Sequence, residues 1–109
     1  MLGTTNYKRC SVVNVSGRID SNTAPEFEAT LQNLIENGTH NIVVETSGVK
    51  FISSAGLRSL VSCMKACKKK GGELVLATPS KRVTEVMKLA GLNTLFTTYN
   101  DVTAAVGNF

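Results

Sequence analysis

The chain has a single histidine, three cysteines, 6% aromatic residues and no long apolar run. Each shortage excludes something. A Ser–His–Asp relay needs a histidine beside its nucleophile. The one available, His40, precedes the strand-like stretch Asn41–Thr46, whereas the conspicuous serines, Ser53 and Ser54, follow it. The two ends of that stretch are roughly 20 Å apart at ~3.3 Å per residue. No GxSxG elbow, GxxxxGK[ST] loop or GxGxxG turn occurs, so neither an exposed catalytic serine nor a phosphate cradle is expected. Cys63 and Cys67 could share a metal from one helix. Zinc takes about four ligands, and with so few other donors their expected role is packing, reduced and metal-free. No cofactor is expected. Without an apolar stretch of about 18 residues there is no membrane span. Without an apolar core in Met1–Arg9 there is no sign of a signal peptide. An odd number of cysteines with no framework spacing then points to a reducing, cytoplasmic setting. Scarce aromatics, none interleaved with lysines, argue against a nucleic-acid surface.

What is present describes one folded domain over residues 1–109. Hydrophobic residues make up 42% and charged residues 18%, with a net charge of +4. The densest basic run, Lys65, Lys68, Lys69 and Lys70, suits the C-terminal end of a helix, where cations oppose the dipole.

The order of elements is strand and helix in alternation. Cys10–Ser16 is β-branched and stops at Gly17. Leu2–Lys8 pairs with it as an edge hairpin. Ser21 or Asn22 caps a helix with Pro25 in its first turn, and Phe27, Leu31, Leu34 and Ile35 form its apolar stripe. Asn41–Thr46 is a second strand, and consecutive Ile42, Val43 and Val44 imply burial on both faces. Ser47-Gly48 reads as a turn. Leu57, Leu60, Val61, Met64 and Cys67 mark the next helix, Glu73–Ala77 a strand, and Val83, Val86, Met87 and Ala90 a third helix. A short strand over Leu95–Tyr99 and a last helical turn over Asp101–Val106 complete the chain. Such alternation predicts an α/β fold, a mainly parallel sheet of four to five strands covered by about four helices.

The segment richest in chemistry is Phe51-Ile52-Ser53-Ser54-Ala55-Gly56-Leu57-Arg58. A serine between strand and helix caps the helix through its oxygen. A phosphate placed there would be favoured by the dipole, by about 0.3–1 kcal/mol. From the pattern alone a plain cap and a phosphorylation site both remain open. Asp20 and Glu45 are the carboxylates expected near the strand ends, where loop-capping is the default role.

These residues together resemble the STAS-domain family, and within it the bacterial anti-sigma factor antagonists. Gly17-Arg18-Ile19-Asp20 with Thr23-Ala24 is similar to that family's G-x-[IL]-D…T-A segment. Ile42–Val49 resembles its central strand, with Glu45-Thr46 where Asp-Leu is usual. Phe51–Leu57 resembles its switch motif F-[MI]-D-S-[ST]-G-L, with Ser53 in place of the aspartate. Glu73–Leu76, Val83 and Leu89–Leu92 follow in order. The resemblance implies a partner-switching protein. Unphosphorylated, it captures an anti-sigma factor that is also a serine kinase, which frees a sigma factor for transcription. Phosphorylation ends the capture, and a metal-dependent serine phosphatase restores it. Anchored on Gly56-Leu57, the family's phosphoserine falls on Ser54. The expected partner surface comprises Asp20, Ser21, Asn22 and Thr23, then Ser53, Ser54, Ala55 and Gly56, then Arg58 and Ser62. Two other readings stay open: an unphosphorylated STAS subunit of a transport or signalling assembly, and a small nucleotide-binding α/β enzyme.

Overall fold

The computed structural model describes residues 2–109. Its strands are β1 (Leu2–Asn6), β2 (Ser11–Ile19), β3 (Asn41–Ile52), β4 (Glu73–Ala77) and β5 (Thr98–Tyr99). Its helices are α1 (Ala24–Glu36), α2 (Ser54–Lys69), α3 (Lys81–Leu89) and α4 (Val102–Gly107). The strands lie in sequence order in one sheet. β1 is antiparallel to β2, and every other neighbouring pair is parallel. The expected edge hairpin and parallel core are both present.

Period-two alternation divides the sheet between two cores. Val13, Val44 and Leu76 face a large cluster with Phe27, Leu31 and Ile35 of α1, Leu60, Met64 and Cys67 of α2, and Val83 and Met87 of α3. Their neighbours Val12, Val43 and Val75 face a smaller cluster closed by Ala105 of α4. The run Ile42-Val43-Val44 is fully buried, as strands sandwiched between helices require. Leu34 and Val61 are only partly buried and pack against the larger cluster.

Three readings need correction. Ser47-Gly48 is not a turn, because β3 runs through it to Ile52. The ladder absorbs the irregularity: Asn14 pairs with Glu45 but Ser16 with Gly48, and Gly17 with Val49 but Arg18 with Phe51. Gly48 is needed for the close approach of β2, since a Cβ there would lie 2.9 Å from that of Ser16. The start of α1 is not capped by Ser21 or Asn22. Thr23 holds the cap position without a side-chain capping bond, and Asp20 organises the turn before it. β5 pairs over two residues rather than five. The preceding residues turn, with Leu95 N–H donating to the Leu92 carbonyl, and bury Phe96.

Candidate functional site

The C-terminal ends of β2 and β3 lie side by side, with Ile19 paired to Ile52. The Ser53 amide donates to the Ile19 carbonyl at 2.8 Å, which carries the strand pairing one residue further. The chain then enters α2. Ser53 is extended at the cap position, and its Oγ accepts from the Gly56 amide at 3.3 Å. This satisfies one of the amides left free at a helix start. Gly56 makes the junction possible by close packing. A Cβ there would lie 2.7 Å from Ile19 Cγ2 and 2.9 Å from Ile52 Cγ1. Gly56 is therefore buried beneath the helix start, where it seats α2 on the strand ends and presents no side chain to a partner.

Ser54 is the first residue of α2. It is exposed, and its hydroxyl makes no hydrogen bond among the described residues. The two serines thus divide the work: one oxygen is used within the fold, the other is left to solvent.

Beside them lies the β2–α1 loop. Asp20 Oδ1 accepts from the amides of Asn22 and Thr23, at 3.0 and 3.1 Å. Thr23 Oγ1 accepts from the Asp20 amide and donates to the Arg18 carbonyl. The Asn22 amide, then that of Thr23 with its hydroxyl and the Arg18 guanidinium, hold the Asp20 carboxyl below the usual aspartate range. Arg18 contacts Asp20 at 3.7 Å, and its guanidinium carbon stands 4.3 Å from the centre of the Phe51 ring. Asp20 is therefore a loop-fixing carboxylate. Glu45 likewise serves its own strand by accepting from the Ser47 amide.

A groove of about 510 Å³ separates α1 from α2, lined by Ser21, Ala24, Glu28, Ala55, Arg58 and Ser59 among others. A second hollow, of about 570 Å³, flanks α2 on its other side and is lined by Leu57, Arg58, Val61, Ser62, Lys65 and Leu92. Arg58 borders both, and Arg58 and Ser62 are exposed. The fold gathers Ser21, Ala55 and Arg58 on the first groove and Ser62 on the second. Asn22 and Thr23 are exposed in the adjacent loop. Sequence reasoning missed Ser59; Leu57 and Val61, expected on the apolar stripe of α2, do pack against the larger cluster and also line the second hollow. The signal for Ser59 was present in the small residues Ala55, Ser59 and Ala66, which recur on α2 beside its apolar stripe.

The described residues hold no group of three or more His, Cys, Asp or Glu side chains placed to share a metal. Cys63 and Cys67 are fully buried. Desolvation pushes the Cys63 thiol up to about 12 and the Cys67 thiol to about 11, so both are protonated at neutral pH. Among the described residues no helix is long and apolar enough to cross a membrane.

The class is thus a small α/β domain that presents an exposed serine at the start of a helix flanked by two grooves. The chain matches the STAS domain over residues 2–105 and belongs to that family. It is 32% identical, over 84% of its length and 85% of the relative's, to the anti-sigma-B factor antagonist of Staphylococcus aureus strain NCTC 8325. It is 26% identical to the solved anti-sigma factor antagonist of Mycobacterium paratuberculosis, with a TM-score of 0.88 over 99% of this chain and 92% of the other. The unphosphorylated form of the anti-sigma factor antagonist SpoIIAA superposes with a TM-score of 0.82 at 19% identity, over 95% of this chain and 92% of that one. That last likeness is one of fold.

Proposed function

We propose that this chain is an anti-sigma factor antagonist whose partner binding is switched by phosphorylation of Ser54. Unphosphorylated, it captures an anti-sigma factor with serine kinase activity and so releases a sigma factor. The kinase phosphorylates Ser54 and ends the capture, and a serine phosphatase restores it. The observation that carries the reading is the exposed Ser54 hydroxyl, free of internal bonds, one residue after a serine already committed to capping. A phosphate can be added there without removing a bond that the fold uses. It also stands at the start of a helix, where the dipole favours negative charge.

The loss of binding follows from desolvation. Phosphate adds about −1.5 to −2 charges. At a closed interface that charge loses water, and a net penalty of ~3 kcal/mol weakens binding about a hundredfold. Arg58 and Ser62 on α2, with the Asp20–Thr23 loop, Ser53 and Ala55, form the proposed contact surface around Ser54. Gly56 supports it from beneath.

The test is to recover the anti-sigma factor from the source cell on immobilised protein and to compare variants by titration calorimetry. Ser54→Asp is expected to bind about a hundredfold more weakly than the unphosphorylated chain, and Ser54→Ala to bind normally. Equal binding by wild type and Ser54→Asp would reject the switch. Arg58→Ala is expected to weaken binding while leaving the melting temperature nearly unchanged. Parallel loss of both would place Arg58 among the residues that hold the fold.

A further inference from the structure

At the opposite edge of the sheet, where the parallel strands begin, the β1–β2 turn and the α1–β3 loop enclose a hollow of about 240 Å³. Its walls are fastened by backbone and asparagine bonds. The Tyr7 amide donates to the Cys10 carbonyl and closes the turn at 2.8 Å. Asn41 Nδ2 donates to the Arg9 carbonyl and ties that turn to the start of β3. The Glu73 amide donates to the His40 carbonyl at 3.0 Å and holds the loop from the other side. Asn6 Oδ1 accepts from Ser11 Oγ. Both polar atoms of the Asn41 side chain and the Asn6 oxygen are therefore spent on the walls. The residues that line it also include Lys8, Arg9, His40, Tyr7 and Thr39. Among the described residues none of these five side chains makes a hydrogen bond or ion pair, and no carboxylate lines the hollow. α2 ends at this edge with Lys68, Lys69 and Lys70. Of the two nearby acids, Glu73 is held by Thr97 and Asn108, and Glu36 lies in the last turn of α1.

We infer that this hollow is a binding site for a phosphate monoester, with Lys8 and Arg9 as its charged ligands and His40, Tyr7 and Thr39 as further hydrogen-bond donors. Two uncompensated cations and three further donors on a pinned frame match a dianion with several acceptor oxygens. Arginine's planar fork suits phosphate in particular. The chemistry is shared by a soluble phosphate and by the headgroup of phosphatidic acid. The site is distinct from Ser54, at the other end of β3, and does not depend on the switch.

The test is titration of the ¹⁵N-labelled chain with sodium phosphate against sodium chloride of equal ionic strength. Saturable shifts are expected at residues 7–10 and 38–41. Lys8→Ala with Arg9→Ala removes two exposed side chains and is expected to weaken binding about tenfold or more. Lys81→Ala with Arg82→Ala removes the same charge at the start of α3 and is expected to leave binding unchanged. The second arm is cosedimentation with vesicles of phosphatidic acid and phosphatidylcholine. Vesicle binding that the Lys8/Arg9 pair carries, without saturable binding of free phosphate, would assign the headgroup as the source. Binding in neither arm, or equal weakening by the control pair, would overturn the inference.

Discussion

The helices α2 and α3 begin alike, and their differences separate structure from function. Each follows a strand of the parallel sheet. Each is capped by an extended serine whose oxygen accepts from the amide three residues on, at 3.3 Å for Ser53 and 3.2 Å for Ser80. In α3 the serine is further committed: its hydroxyl donates to the Val49 carbonyl at 2.7 Å, and its amide to the Thr46 carbonyl. Three residues into α3 stands Val83, which fills the core, whereas the same position in α2 is Gly56, pressed onto Ile19 and Ile52. The residue after the cap is Lys81 in one case and Ser54 in the other. Identical capping chemistry therefore serves two ends. α3 is fastened to β3, and α2 is fastened so that a neighbouring hydroxyl stays free.

The comparison breaks most visibly at the third position. Gly56→Val drives two methyl groups into isoleucines and is expected to destabilise the fold by about 3 kcal/mol, read as a lower urea midpoint at unchanged slope. A loss below about 1 kcal/mol would mean that α2 can lift from the strand ends without penalty. Next come the caps. Ser80→Ala removes a cap and a bond to a strand carbonyl and is expected to lose about 2 kcal/mol, against about 1 kcal/mol for Ser53→Ala. The reverse order in urea titrations would show that the Val49 bond adds nothing. The smallest effect belongs to Ser54→Ala, which removes no internal bond and is expected to change stability by under about 0.5 kcal/mol. A larger loss would make Ser54 a structural residue.

The alternating order of elements could be read because each element carries its own pattern. Phe27, Leu31 and Ile35 repeat at helical spacing and are all buried, and Ile42-Val43-Val44 is continuous because β3 has helices on both sides. What could not be read depends on partners distant in sequence. Ser47-Gly48 has the composition of a turn, and only the approach of Ser16 across the ladder explains a glycine within a strand. The β2–α1 turn belongs to Asp20 because its carboxylate can reach back over two amides, which spacing does not distinguish from capping by Ser21 or Asn22. For the site, the serine pair was legible as a helix start. The share of labour between them was not, since it rests on the rotamer that turns Ser53 Oγ to the Gly56 amide. Gly56 was read as a place of close approach for backbone or partner, and the approach it serves is that of Ile19, which lies 37 positions earlier in the chain.

In the proposed switch the hydroxyl left free, and not the one used as a cap, takes the phosphate. The most direct measurement is phosphosite mapping by mass spectrometry after the chain is incubated with ATP and the serine kinase recovered with it from the source cell. One phosphate is expected, on Ser54, and none on the Ser54→Ala variant. Phosphate on Ser53, or on neither serine, would contradict it.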